Sequence, residues 1–100
     1  SPATCVQAAA IAMKSFLGLV CDPVAGLVEV PCVKRNATAA TVALAAAEMA
    51  LAGIESAIPL DEVIDAMREI GKALPCSLRE TAQGGLAITP TGKRIQAEFV

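Results

Sequence analysis

Residues 21–36 read CDPVAGLVEVPCVKRN, and this stretch divides the rest of the chain. Pro23 and Pro31 lack the backbone N–H that a helix interior requires and clash with the preceding turn, so the segment must leave helix. Gly26 between them permits a further bend. Apolar runs of helical length lie on both sides, so the segment forms a loop held between two helices, the second taking over at about residue 33. It carries Cys21 and Cys32, eleven positions apart, with Lys34 and Arg35 close behind the second. A loop held between rigid helices can fix two thiols in space, as metal ligation or covalent chemistry would need. It is the candidate site.

Working upstream, the pattern predicts a helix over 3–19, opened by Pro2 or Thr4. Gln7 and Lys14 share one narrow polar stripe, and Cys5 is expected to be a small core residue. Downstream, a second helix is expected over 33–52, ended by Gly53 at the cap. Lys34, Thr38, Thr41 and Glu48 fall on one stripe about 80° wide. Arg35 and Asn36 project about 100° and 200° away from Lys34, onto the face that is apolar further along. A cation on that face needs a partner or a ligand.

A third helix over 60–74 has the clearest periodicity. Leu60, Val63, Ile64, Met67, Ile70 and Leu74 form one face, while Asp61, Glu62, Asp65, Arg68, Glu69 and Lys72 form a solvated one. Pro75 ends it. Residues 76–85, CSLRETAQGG, then form a polar loop whose Gly84 and Gly85 permit close backbone approach. Thr89 and Pro90 open a short terminal helix with Ile95 and Phe99 on one face. The expected fold class is all-α: three main helices and a short C-terminal one, without a sheet.

The 100 residues make one small domain or a piece of a larger one. The chain is 55% apolar with mean hydropathy +0.60, holds 21 alanines, and has only Phe16 and Phe99 as aromatics. Such a composition spans a membrane, buries surface against other protein, or packs helices through small side chains. The longest run without a charge, 1–13, holds 13 residues, short of the roughly 18 a membrane helix needs. No basic region precedes an apolar run, so a signal peptide is not expected. Burial against a partner is expected instead. A net charge of −2 with scattered cations argues against nucleic-acid binding.

Four cysteines without a secretory signal read as reduced thiols of a cytosolic protein. On spacing alone, Cys21 and Cys32 are compatible with core thiols, a metal site, a disulfide or a nucleophile. The absence of histidine removes the commonest general base, and a four-thiolate zinc site would have to recruit Cys5.

The segments GLVCDPVAGLVEVPCVKRNA (18–37), DEVIDAMREIG (61–71) and SLRETAQGGLA (77–87) resemble the alpha chain of iron-sulfur-dependent L-serine dehydratases. The resemblance runs through nearly all of the chain. It implies an enzyme that converts L-serine to pyruvate and ammonia through a 4Fe-4S cluster in an all-helical catalytic domain, with Cys21 and Cys32 as two cluster ligands. It further implies a separate beta chain as partner, a cytoplasmic setting, and a third ligand upstream of residue 1, so that 1–100 is the C-terminal part of that domain and inactive alone. Arg35, Asn36, Arg79, Glu80, Thr81, Gly84 and Gly85 are substrate or active-site candidates. The 79–85 residues fit a role in stabilising their own loop equally well, and the candidate partners of Arg35 are the cluster, the serine carboxylate and an ordinary acid. Some relatives end in a cysteine, where this chain reads Glu98-Phe99-Val100. Oligomerisation through apolar helix faces is expected. The contrasting readings are a related enzyme acting on L-cysteine and a non-catalytic helical packing module with buried cysteines.

Overall fold

The computed structural model describes residues 1–27 and 29–99, and these are all-α. Val100, and with it part of the terminal sequence noted above, lies outside the described residues. The helices are α1 (Pro2–Lys14), α2 (Cys32–Leu51), α3 (Leu60–Ala73) and α4 (Pro90–Glu98), with 3₁₀ turns at Val24–Gly26, Cys76–Leu78 and Gly85–Ile88. Among the described residues no strand forms. A parallel bridge joins Cys21 and Arg79. The chain makes two compact units, Ser1–Gly18 with Thr38–Ala73 and Leu19–Ala37 with Leu74–Val100.

In the first unit α1 packs on α3, and the buried side chains are small: Ala10, Ala46, Ala50 and Val63. Ser1 caps α1 by accepting the Thr4 N–H at 3.3 Å, with Pro2 in the first turn where its missing N–H costs nothing. Two expectations for this helix need correction. It ends at Lys14, not near 19, because Ser15 and Phe16 donate to the carbonyls three residues back, at 3.1 and 3.0 Å, and Gly18 then turns the chain at φ +80°. Cys5 is exposed, since the core side of α1 is taken by Ala10.

Gln7 also departs from a merely solvated stripe. It is half-buried, and its Oε1 accepts the Ser56 N–H at 2.7 Å, tying down the connection between α2 and α3. In α3 the apolar face points inward as its period predicts, with Val63 fully buried and Leu60, Met67 and Ile70 half-buried, although Ile64 at the edge is exposed. The Lys72–Glu69 pair at 3.8 Å is exposed and adds little.

In the second unit the Val24–Gly26 turn and the Gly85–Ile88 turn pack on each other and on α4, burying Val24 and Ala87. The prolines act as anticipated: Pro31 immediately precedes α2, and Pro90 occupies the first turn of α4. Thr89 caps α4 by accepting the Gly92 N–H at 3.0 Å while its hydroxyl donates to the Leu86 carbonyl at 2.8 Å. Losing both bonds in Thr89→Ala is expected to cost about 1–2 kcal/mol, read as a lowered denaturant midpoint. A change under about 0.3 kcal/mol would mean that α4 does not depend on this cap.

Candidate functional site

The site is built around Cys21. Its N–H donates to the Leu78 carbonyl at 2.9 Å, and its carbonyl accepts the Glu80 N–H at 2.7 Å. This ties the cysteine loop to the loop that follows α3. Cys32 opens α2, and Cys21 and Cys32 are both half-buried and free, with the Cys32 side chain near the Cys21 thiol. Burial, reinforced by the nearby Glu80 carboxylate and by Cys32, pushes the Cys21 thiol above its ordinary pKa. Unligated, the Cys21 thiol thus favours its protonated form.

The residue that organises these contacts is Asp22, only 2% exposed. Its Oδ1 meets Arg35 Nη1 at 2.6 Å, and its Oδ2 accepts the Leu86 N–H at 2.7 Å. The same Arg35 nitrogen donates to the Val20 carbonyl at 3.0 Å. Arg35 thus grips the residues on both sides of Cys21. The cation that helical projection places on the apolar face of α2 has an acid as its partner, and 39% of its side chain stays exposed. Burial raises the Asp22 carboxyl pKa, but the Leu86 N–H and the Arg35 guanidinium outweigh that and hold it below the usual carboxylate value.

A carboxyl with a depressed folded pKa contributes stability above its unfolded pKa of about 3.9, and that contribution is lost as pH falls through the folded value. The stability advantage of the natural protein over Asp22→Asn is therefore expected to be full near neutral pH and to shrink below about pH 4. Melting curves of both proteins across pH 3–7 check this; an advantage that grows on acidification would contradict it.

Gly85 is what lets Asp22 sit there. It adopts φ +60°, and a Cβ at this position would drive into the Asp22 carboxylate. Gly84 is buried against the backbone of Ser77. Between these anchors the 79–83 segment holds two non-glycine residues in the left-handed region, Glu80 at φ 65° and Ala82 at φ 56°. Such conformations cost roughly 1 kcal/mol or more each and persist where the surroundings impose them. Here the imposing contact at Glu80 is its N–H bond to Cys21.

Of the candidates read from sequence, Cys21, Cys32, Arg35, Arg79, Glu80 and Gly85 come together. Arg79 does so through the backbone bridge, and its side chain is exposed. Thr81 instead donates its hydroxyl to the Cys76 carbonyl at 2.8 Å, a bond that closes its own loop. Asn36 is exposed, and Cys76 is exposed as well. Sequence reasoning missed Asp22, although Arg35 on an apolar face called for an acid and Asp22 belongs to no solvated helical stripe. Among the described residues, no three His, Cys, Asp or Glu side chains lie close enough to hold a metal ion.

Comparison with known proteins bears on this arrangement. Residues 1–87 match the model of the family described as serine dehydratase alpha chain. The chain is 65% identical over 99 residues to the "Probable L-serine dehydratase, alpha chain" of Bacillus subtilis, covering 99% of this chain and 33% of that one. It is 50% identical over 95 residues to the "L-serine dehydratase, alpha chain" of Peptoniphilus asaccharolyticus, covering 95% and 32%. Against "L-serine dehydratase 2" of Escherichia coli it is 54% identical over 89 residues, covering 88% and 20%. The chain thus spans less than half the length of the curated relatives it matches. No solved structure matches it.

Proposed function

Because the chain belongs to the serine dehydratase alpha-chain family, we propose that the protein containing it is an L-serine ammonia-lyase, releasing pyruvate and ammonia, and that Cys21 and Cys32 are two ligands of its 4Fe-4S cluster. The activity is the one printed in the names of its relatives. The observation that carries the ligand assignment is the juxtaposition of two free, half-buried thiols on a backbone fixed from several sides.

The residues present fit an iron-sulfur group as part of a donor set. Thiolates are the soft ligands such clusters take, and the two thiols are adjacent without being joined. Two sulfurs do not complete a set, so the remaining ligand belongs to a part of the protein outside 1–100, and this segment alone is expected to hold no cluster. Bound with one iron open, the cluster would supply Lewis-acid polarisation of the serine hydroxyl.

The chain's own residues supply position and charge. Cysteines ligate as thiolates, and the raised pKa of Cys21 makes its ligation release a proton near neutral pH. Arg35, with part of its side chain exposed, places positive charge beside the thiols. Glu80, whose backbone is left-handed, places a carboxylate near Cys21. Gly84 and Gly85 keep that loop close. Arg79 and Asn36, both exposed, are left to meet substrate or neighbouring chain.

The protein also works, on this reading, with a separate beta chain and in the cytoplasm. No described helix is long and apolar enough to cross a membrane. Leu44 and Leu51 of α2 are 66% and 79% exposed, which supports apolar contact with other protein, including a further copy. The test is the full-length alpha chain with its beta chain, reconstituted anaerobically with iron and sulfide and offered L-serine or L-cysteine. Pyruvate from serine at the higher kcat/KM is the expected result. Turnover of neither would favour a packing module, and preference for cysteine would reassign the substrate.

A further inference from the structure

We infer that Asp22 and Arg35 are positioning residues, whose ion pair is a strut holding the Cys21 and Cys32 thiols side by side. Asp22 follows Cys21 directly, and Arg35 lies three residues after Cys32 on α2, where positions i and i+3 are neighbours on one face. The 2.6 Å contact between them therefore joins the two chain segments at the points where the thiols leave the backbone. One guanidinium nitrogen reaches both the Asp22 carboxylate and the Val20 carbonyl, which bracket Cys21. The second Asp22 oxygen is fixed by the Leu86 N–H, against a glycine with no room for a side chain.

The loop between the cysteines is held near Cys21, where Val24 is buried against the Gly85–Ile88 turn and α4, and is more open toward Cys32. The backbone bond from the Val24 N–H to the Val30 carbonyl at 2.9 Å closes it, but Gly26, Glu29 and Val30 are exposed. Without the strut, Cys21 would still be tied to the 78–80 backbone and Cys32 to α2, with the pairing between those two anchors loosened. An ion pair serving stability alone would lower the melting temperature and leave thiol proximity in the folded protein unchanged. The inference concerns the geometry of the thiols and stands apart from what they ligate, so its failure and that of the iron-sulfur reading are separable.

Thiol proximity is measured as an effective molarity. Cluster-free full-length protein carrying Cys5→Ser and Cys76→Ser is equilibrated at fixed pH with glutathione and its disulfide. Each Cys21–Cys32 bridge formed takes two electrons from the thiols and reduces one glutathione disulfide to two glutathiones, and the bridged peptide is quantified by mass spectrometry. Asp22→Asn and Arg35→Gln are each expected to lower the effective molarity at least about tenfold, while Arg35→Lys, which keeps a cationic donor of similar reach, stays within about threefold. Lys72→Gln should change nothing. Unchanged values in folded Asp22→Asn and Arg35→Gln would overturn the inference, as would an Arg35→Lys value as low as that of Arg35→Gln. Should either neutral variant lose its helical circular dichroism, Asp22→Glu decides, since it keeps the charge and displaces the carboxylate by one methylene. A several-fold fall then supports the strut and no fall overturns it.

Discussion

Gly85→Ala is expected to destabilise the protein by about 3 kcal/mol, the sum of roughly 1 kcal/mol for a side chain in the left-handed region and about 2 kcal/mol for overpacking. The second part comes from a Cβ directed into the Asp22 carboxylate, which cannot retreat without giving up the Leu86 N–H or Arg35. Gly26→Ala separates the two contributions. Gly26 has φ +73° with nothing near its absent Cβ, so it should cost only the strain, about 1 kcal/mol. Denaturant midpoints of both variants make the comparison. Equal losses would mean that the Asp22 carboxylate is free to move aside, and the packed anchor described above would be wrong.

Helices α2, α3 and α4 were legible because their signals are local: Pro31 and Pro59 before the starts of α2 and α3, Pro90 in the first turn of α4, Gly53 after an end, and a 3.6-residue period in α3. The end of α1 was not, because Lys14 is followed by a 3₁₀-type turn without a proline, and apolar Phe16 and Leu17 extend the helical pattern past the true exit. Cys5 was misplaced for a similar reason. In a run so rich in alanine, hydrophobicity does not say which side of the helix faces inward.

The thiol pair was visible as two cysteines framing a proline-bounded loop. Its anchor was not, because Asp22 meets Leu86 across 64 positions and Arg35 across 13. Pairings of that separation leave no periodic trace. The unpaired cation on the apolar side of α2 was the one readable sign, and it asked for an acid without saying which.

The second large effect concerns the cysteines themselves. In the full-length alpha chain, Cys21→Ser and Cys32→Ser are each expected to abolish stable iron-sulfur binding and with it serine turnover, because a hard hydroxyl is a poor substitute for a soft thiolate. Cys5→Ser and Cys76→Ser should leave both intact. Cys5 and Cys76 are exposed, and Cys5 belongs to the other compact unit. Melting temperatures of all four variants before reconstitution separate ligand loss from misfolding.

The measurement that bears most directly on this account is therefore iron and sulfide per chain, with the visible charge-transfer absorption, in these four variants and the natural protein after anaerobic reconstitution. Near-complete loss in the Cys21 and Cys32 variants, with retention in the Cys5 and Cys76 variants, is the predicted result. Iron and sulfide retained without Cys21 or Cys32, or never bound by the natural full-length chain, would contradict it.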